Sequence, residues 1–268
     1  MELGATINEG ESAMNILVCM KQTFDTEAKI ILDNGVISEE DVTFIVNPYD
    51  EYAIEEAIRW RDEVGGTVTV ITVGKERVRD AVLTALAMGA DEGIIIEEPE
   101  QGCDSFMVSQ ILYAVIKDKP YDLVLAGNQS VDDGSSQVAI RLAELLSIGH
   151  IGSVVQLSVH DRHVTAQQDL QGIIQIVEGD LPLLITAQQG LNEPRYPSLL
   201  GIRKAAKKPI AMLTIDDLFL DPEKITKRSL TVDVSLPKAK TQGTILQGEV
   251  SEKVAALLHG LHDISKIL

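Results

Sequence analysis

Cysteine is scarce in this sequence and long hydrophobic runs are missing, and each absence excludes a class of protein. The 268 residues include only Cys19 and Cys103, which lack the paired spacing of a disulfide framework or a cysteine metal site. The five histidines show no metal-ligand spacing either, so no metal centre is expected. No window approaches the roughly 18 consecutive apolar residues of a membrane-spanning helix. We therefore expect a soluble protein without a membrane span, in a reducing compartment that we take to be the cytoplasm.

Positive charge and the common phosphate-binding motifs are also in short supply. Lys and Arg number 23 against 41 Asp and Glu, so the formal net charge is -18 at pH 7. Such a chain repels phosphate backbones and anionic membranes, which excludes nucleic acid and favours a protein partner with basic patches. The patterns G-x-G-x-x-G and G-x-x-x-x-G-K-[ST] do not occur. Neither a classical dinucleotide fold nor a P-loop enzyme is expected.

The chain divides into a tail, a large domain and an arm. Residues 1–13 have neither a basic n-region nor an apolar h-region, and Met14 opens a strand-like run that resembles a natural start. We interpret 1–13 as a leader or a disordered tail rather than a secretory signal. Residues 14–210 form the predicted α/β domain. Residues 211–268 form the predicted C-terminal arm.

Short apolar runs that alternate with helical periods indicate the fold. The runs are rich in Val, Ile and Leu and lie at 15–20, 67–74, 92–98, 121–128 and 181–189. Because they lack polar alternation, they are typical of strands buried on both faces of a parallel sheet. Asn47 and Pro48 suit the start of one intervening helix, and Gly89 and Gly149 suit the ends of two others. The pattern predicts a doubly wound, mostly parallel α/β sheet.

The hydrophobic pattern of the sequence changes after residue 151. Alternating residues with a turn at 160–162 predict an antiparallel β-rich excursion. After Pro209 the strand and helix alternation is lost, which indicates an extended arm. A final helix, capped by Ser251, would carry one apolar face at Val254, Leu257, Leu258 and Leu261. Because a short helix on an arm cannot bury that face alone, we expect it to pack on the body or on another subunit.

The best site candidate is the loop that follows the run at 121–128. There the chain passes from Gly127 through the polar residues 132–136 into a helix. In a parallel sheet this loop lies at the carboxyl edge, where free amides at a helix start suit a phosphate. The turn after residues 15–21, residues 73–76, Asn47 and Pro48 should reach the same edge and complete a nucleotide pocket. A plain helix cap with turn glycines fits the same spacing, so both interpretations stay open.

Six segments together resemble the β subunit of electron-transfer flavoprotein. They read "MKQTFDTE", "NPYDEYAIEEAI", "TALAMGAD", "GNQSVDDGSSQ", "NEPRYPSLLGIRKAAKKP" and "TQGTILQGE", and the likeness runs from Met14 to the C-terminus. The resemblance implies a heterodimer whose larger α subunit carries the redox-active FAD. It also implies an adenine-nucleotide-binding domain in this chain that holds AMP, or a second FAD in electron-bifurcating members.

The resemblance also implies which residues contact the nucleotide. They are Cys19, Asn47, Pro48, Tyr49, Asp50, Val73, Gly127, Asn128, Gln129, Ser130, Val131, Asp132, Asp133, Gly134, Ser135, Ser136, Gln137 and Val138. Val138 stands where some members carry a threonine, so one hydroxyl ligand for the phosphate is missing. The following "AIRL" lacks the Gly-Pro of bifurcating members, which favours AMP over a second FAD.

Residues 188–209 combine an apolar residue, two prolines and a basic run. The resemblance implies a recognition loop for a flavin dehydrogenase of the acyl-CoA dehydrogenase type, formed by Leu191, Asn192, Glu193, Pro194, Arg195 and Tyr196. Leu191 would be the apolar anchor, although the residues alone favour a surface turn with one exposed leucine. Arg203, Lys204, Lys207 and Lys208 would either steer acidic partners or only solvate a helix face.

The function implied is that of an electron carrier subunit without catalytic residues of its own. Two alternatives are a bifurcating flavoprotein component that oxidises NADH through a second FAD, and a nucleotide sensor that responds to AMP.

Overall fold

A computed structural model of the chain describes residues 13–33, 35–40, 42–237 and 243–264. It divides into two compact units. The larger unit contains Ser38–Val232 and the described segment that ends at Ile31. The smaller unit contains Leu32–Ile37 and the described residues from Asp233 onward. Residues 1–12 of the predicted leader lie outside the described residues.

The described residues form the strands and helices that follow, and five of the strands lie on the predicted apolar runs. The strands are β1 (Met14–Cys19), β2 (Gln22–Phe24), β3 (Leu32–Asp33), β4 (Val36–Ile37), β5 (Phe44–Val46), β6 (Gly66–Gly74), β7 (Glu92–Glu97), β8 (Leu123–Gly127), β9 (Gly149–His160), β10 (His163–Asp169), β11 (Ile174–Asp180), β12 (Leu183–Ala187) and β13 (Ile210–Leu213). The α-helices are α1 (Pro48–Val64), α2 (Val78–Met88), α3 (Ser105–Ile116), α4 (Val138–Leu146), α5 (Leu199–Ala205) and α6 (Val250–His259). Short 3-10 turns lie at Asp216–Leu218 and Pro222–Ile225, and a π-turn at Gly260–Ile264 follows α6.

Nine of the described strands form one sheet, in the order β11-β10-β9-β12-β8-β1-β6-β7-β13. From β9 to β13 along this order every neighbouring pair is parallel. The remaining two pairs, β9 with β10 and β10 with β11, are antiparallel. The predicted mostly parallel α/β sheet with a β-rich excursion is confirmed.

Helices cover both faces of the parallel part of the sheet. Ile16 and Val18 of β1 belong to one core cluster, which also contains the buried residues of α1 and α2. Leu17 and Cys19 point to the opposite face and join the core residues of α3 and α4. This alternation explains why the strands read as continuous apolar runs, because side chains on both faces are withdrawn from water.

The predicted helix ends are correct for α1 and α2 and wrong for α4 and α6. Pro48 lies in the first turn of α1, and Gly89 ends α2 with a positive φ of 149°. However, α4 ends at Ser147 in the left-handed conformation, and Gly149 begins β9 instead. A Cβ at Gly149 would lie 2.7 Å from the Leu183 side chain, so close packing between strands explains this glycine.

The N-terminus of α6 is capped by Glu249 rather than by the predicted Ser251. Glu249 and Glu252 form a reciprocal capping box, in which each side chain accepts the other's backbone N–H. Val254, Leu257 and Leu258 of this helix are each about half exposed, at 50%, 51% and 52%. Among the described residues, no helix combines the length and the apolar character that crossing a membrane requires.

The excursion and the other sheet edge complete the larger unit. Asp161 and Arg162 join β9 to β10 with positive φ angles of 47° and 71°, as the predicted turn requires. At the opposite edge β13 pairs in parallel with β7, a strand that the sequence pattern did not predict. Strand pairing therefore continues beyond residue 210, and the larger unit extends to Val232.

Candidate functional site

A cavity of about 320 Å³ lies at the carboxyl edge of the sheet. It opens where β1, β6 and β8 end, and its walls include the first residues of α2, α3 and α4 together with Asn47 and Asp50 at the start of α1. The chain returns to this edge after every parallel strand, so loops that are distant in sequence meet here. This is the position at which doubly wound α/β domains bind their ligands.

The loop between β8 and α4 is held in shape by its own polar side chains. The Ser130 hydroxyl donates to Asp133 Oδ1 at 2.9 Å, and that oxygen also accepts the Ser135 amide at 2.8 Å. Gln137 occupies the N-cap position of α4, and in the described part of the chain no side chain caps the first amides of this helix. The helix start therefore presents unpaired N–H groups beside the cavity, as an anion site requires.

Asn47 joins the start of α1 to this loop. Its Nδ2 donates to the Gln129 carbonyl at 2.9 Å, and its Oδ1 accepts the Val131 amide at 3.1 Å. Asn47 occupies the predicted N-cap position of α1, but its side chain makes no capping hydrogen bond. The amide group instead fixes the loop after β8, so the expectation of a side-chain cap at Asn47 is wrong.

Asp50 ties α1 to the ends of two strands. The Asp50 side chain accepts the Lys21 amide at 2.6 Å and the Gly127 amide at 2.9 Å. Burial raises the pKa of Asp50 to about 7, although these hydrogen bonds act in the opposite direction. A Cβ at Gly127 would lie 2.3 Å from Asp50 Oδ1, so only glycine allows this approach.

Lys21 reduces the repulsion that Asp132 and Asp133 would exert on a bound anion. Its ammonium lies 2.8 Å from Asp132 Oδ1 and 3.1 Å from Asp133 Oδ2. Burial acts to lower the pKa of Lys21, but the bonds and charges of the two carboxylates outweigh it and raise that pKa. Partial burial acts to raise the pKa of Asp133, yet hydrogen bonds from Ser135 and the nearby Lys21 charge lower it to about 2. Lys21 therefore offsets one of the two negative charges and lies between both carboxylates.

Most of the residues that the family resemblance implies line the cavity. They are Cys19, Asn47, Asp50, Val73, Gly127, Asn128, Gln129, Ser130, Asp132, Asp133, Ser135, Ser136, Gln137 and Val138. Pro48, Tyr49, Val131 and Gly134 are not among the residues that line the cavity. Of these, Tyr49 accepts a hydrogen bond from Gln129 at 3.3 Å, and Val131 bonds Asn47.

The sequence reasoning placed residues 73–76, and with them Lys75, at the cavity, but it missed the rest of that wall and the whole of another. Lys75, Arg77 and Val78 line one wall at the start of α2, and Asp104 and Ser105 line another at the start of α3. The only signal in the sequence was their position after β6 and β7, at the same sheet edge. Lys21 was missed as well, although it directly follows the first strand.

Neither cysteine has the character of a nucleophile. Burial, with a smaller contribution from the Asp50 charge, raises the pKa of Cys19 to about 12. Burial and the Glu98 charge raise the pKa of Cys103 to about 12 as well. Both thiols stay protonated at neutral pH, so they are not activated for covalent chemistry. Within the described residues, no group of three or more His, Cys, Asp or Glu could hold a metal ion.

The loop after β12 differs from its prediction. Leu191 is only 8% exposed and belongs to the core cluster that includes α1. The prediction of an exposed apolar tip at Leu191 is therefore wrong, because Gly190, at a φ of 101°, turns the chain and Leu191 packs inward. Glu193 is exposed, Pro194 is half-buried, and Asn192 and Arg195 bond to α1.

The exposed apolar surface lies a few residues further along. We define the apolar segment as residues 196–202; its Tyr196 is 95% exposed, Leu199 83%, Leu200 61% and Ile202 53%. The four residues of the basic run that follows lie in two different environments. Arg203, Lys204 and Lys207 are exposed, whereas the Lys208 ammonium donates to the carbonyls of Leu86, Gly89 and Ala90 at the end of α2.

Comparison with known proteins agrees with this architecture. Residues 34–218 match the family model described as the electron transfer flavoprotein domain. The chain is 46% identical over 257 residues to an electron transfer flavoprotein subunit beta of Bacillus subtilis strain 168, covering 95% of this chain and 100% of the relative. The corresponding subunit of Syntrophomonas wolfei is 38% identical over 88% of this chain and 91% of its own length. Subunit CarD of a caffeyl-CoA reductase-Etf complex from Acetobacterium woodii is 35% identical over 91% of this chain and 96% of its own length.

Proposed function

This chain belongs to the electron transfer flavoprotein family as a β-type subunit, and from that premise we propose that it is the AMP-holding subunit of a cytoplasmic electron carrier. Its partner is an α subunit that carries the redox-active FAD, which this chain helps to hold. The carrier exchanges electrons with flavin dehydrogenases of the acyl-CoA dehydrogenase type. A reducing compartment agrees with two free cysteines.

The cavity at the sheet edge carries the proposal of AMP. It combines unpaired amides at the start of α4 with the hydroxyls of Ser135 and Ser136. Such donors suit a phosphate, as the single phosphate of AMP requires. At about 320 Å³ the cavity is at the small end of the roughly 300–1,000 Å³ range of ligand sites. This size favours a mononucleotide over FAD, which has a second large ring system.

The role that we assign to AMP is structural. The nucleotide would lie among the loop after β8, the start of α1 and the start of α4, all of which line the cavity. Ligand that binds only the folded state stabilises it by mass action. The Asp50 carboxylate accepts two backbone amides, a contact that suits holding the cavity wall together.

We assign partner docking to the apolar segment 196–202 rather than to Leu191. A buried leucine cannot reach a partner without unfolding, whereas Leu199 is 83% exposed and Tyr196 is 95% exposed. Exposed aromatic and aliphatic side chains beside charged ones are typical of transient protein interfaces. Arg203, Lys204 and Lys207 follow directly and would steer an acidic partner surface.

The C-terminal arm is assigned to the α subunit. Within the smaller unit, Val254, Leu257 and Leu258 of α6 form an apolar face that is about half exposed. A helix with such a face gains stability when another surface covers it. The larger α subunit would supply that surface.

A count of bound cofactors tests the proposal. The purified heterodimer is denatured, and FAD and AMP are quantified by chromatography. One FAD and one AMP per heterodimer are expected. Two FAD without AMP would overturn the AMP assignment and make this chain a flavin-binding component of a bifurcating enzyme. Rapid exchange of bound AMP with free nucleotide in solution would instead contradict the structural role.

A further inference from the structure

The apolar segment 196–202 is connected to α1 by two buried carboxylates. Glu55 and Glu56 lie in the middle of α1, and each is only 4% exposed. Buried carboxylates are costly unless they are paired and hydrogen-bonded. Asn192 and Arg195, which lie just before the apolar segment, bond to these carboxylates. These bonds hold that stretch of chain against α1.

Arg195 binds Glu55 through a bidentate ion pair. Its Nε lies 2.8 Å from Glu55 Oε2 and its Nη2 lies 2.9 Å from Glu55 Oε1. The Arg195 backbone amide donates to the same carboxylate at 3.1 Å. Because main chain and side chain are both held, the position of the backbone at residue 195 is fixed, and Tyr196 follows immediately.

Asn192, three residues before Arg195, binds Glu56, the residue that follows Glu55 in α1. Its Nδ2 donates to Glu56 Oε2 at 2.9 Å and to the Tyr52 carbonyl at 3.0 Å. The Trp60 indole donates to the other oxygen of Glu56 at 3.0 Å, which holds that carboxylate in place. Burial raises the pKa of Glu56, although the hydrogen bond from Asn192 opposes this shift.

The far end of the segment is fixed by α2. A Cβ at Gly201 would lie 2.4 Å from the Ala87 carbonyl, so α5 packs directly against the end of α2. Ser198 caps α5 by accepting the Gly201 amide at 2.9 Å. Exposed apolar side chains are thus presented from a backbone that is anchored on both sides.

We propose that Asn192 and Arg195 are positioning residues for electron transfer with the partner dehydrogenase. By holding the backbone before Tyr196 on Glu55 and Glu56, they preorganise the apolar segment in its docking conformation. The inference rests on the proposed docking function. A preorganised segment loses less conformational entropy on binding, so releasing it weakens docking without changing the electron-transfer step itself. We expect the KM for the carrier to rise about tenfold, which corresponds to about 1.4 kcal/mol.

Steady-state assays with the intact heterodimer and a purified acyl-CoA dehydrogenase test this inference. The variants are Arg195→Gln, Arg195→Lys, Glu55→Gln and the Arg195→Gln/Glu55→Gln double variant. Glu55 is buried and cannot touch a partner, so its variant separates positioning from direct contact. The matched control is Arg162→Gln, which breaks the ion pair with Asp122 at 2.8 Å in a different part of the larger unit.

The expected result has four parts. Arg195→Gln and Glu55→Gln raise the KM about tenfold with kcat within twofold, while Arg162→Gln changes neither value. The double variant is no worse than Arg195→Gln alone, because Arg195→Gln already removes the ion pair with Glu55 together with the Asp62 contact at 3.4 Å. Arg195→Lys has an intermediate KM, because lysine keeps the charge but cannot make the bidentate contact. Amide hydrogen exchange becomes faster at residues 196–202 while FAD and AMP contents stay unchanged.

Leu199→Asp separates this inference from the docking function on which it rests. If Leu199→Asp leaves the KM unchanged, the apolar segment is not the docking surface, and both proposals are refuted. If Leu199→Asp raises the KM but Glu55→Gln does not, docking stands and the positioning role is refuted. Additive effects in the double variant would equally overturn it, because two independent sites would then be acting.

Discussion

Replacement of Gly127 by alanine is the sharpest test of how the nucleotide cavity is built. Gly127 ends β8, and its amide donates to Asp50 at 2.9 Å. A Cβ at this position would lie 2.3 Å from Asp50 Oδ1 and 2.8 Å from both the backbone carbon and the Cβ of Tyr49. The backbone of α1 cannot move away cheaply, because Asp50 also holds the end of β1 through Lys21.

The cost of Gly127→Ala follows from these contacts. Inserting a methyl group into a packed region costs about 1–3 kcal/mol. Displacing Asp50 also weakens a buried hydrogen bond, which adds about 1 kcal/mol. A total of about 2–4 kcal/mol corresponds to a lower denaturation midpoint by roughly 4–16 °C for a domain of this size. The cavity should retain less AMP as well, since the strand and the helix that face it move apart.

Thermal denaturation and AMP content of the purified heterodimer measure the two effects. Gly179→Ala is the matched control, because it makes the same change in a strand where the nearest atom is the end of the Leu183 side chain, at 3.2 Å. The control should stay within about 1 kcal/mol of the parent. If Gly127→Ala is no less stable than Gly179→Ala, the close approach of α1 to β8 does not constrain the cavity, and the reasoning fails.

Three further predictions concern charges. Asp50→Asn should flatten the pH dependence of stability. Burial raises the pKa of Asp50 from 3.8 to about 7, so between about pH 4 and 7 the native parent binds a proton that the unfolded chain does not, and its free energy of unfolding falls as the pH rises. If the free energies of unfolding of parent and variant change in parallel with pH across that range, the prediction is contradicted. Lys21→Met should reduce AMP retention, measured by chromatography, because Asp132 and Asp133 then face the phosphate without a counter-charge; full retention would refute it. Lys208→Met should lower the free energy of unfolding by about 1–2 kcal/mol, because the α2 carbonyls lose their donor, whereas Lys207→Met on the exposed side should change it little; equal effects would show that the contact with α2 contributes nothing.

The amino-acid sequence by itself determined the architecture of the larger unit. Continuous apolar runs predicted the inner strands because a strand buried on both faces cannot carry polar side chains. Alternating residues on both sides of a turn at 160–162 predicted the antiparallel excursion, because alternation is typical of strands with one face in solvent. The strand β13 escaped this reasoning, since four residues after a basic run carry too little pattern to separate a strand from an arm.

The candidate site was predictable in outline and not in detail. The polar loop after β8 was found because its glycine and aspartates interrupt an apolar strand. Lys21, Arg77 and the wall at Asp104 and Ser105 were not, because pairing between residues far apart in sequence depends on which strand ends are neighbours. That order is a property of the sheet and leaves no local trace.

The loop after β12 shows most clearly what the tertiary structure alone decided. Leu191 and Leu199 are both apolar residues in a polar, proline-rich stretch, and local sequence does not distinguish them. The contacts of Asn192 and Arg195 with the buried carboxylates of α1 pull Leu191 into the core and leave Leu199 at the surface. Composition and periodicity determine which segments become strands and helices. Whether a given side chain is buried or presented to a partner depends on long-range contacts, because burial is a property of the packed chain rather than of the residue.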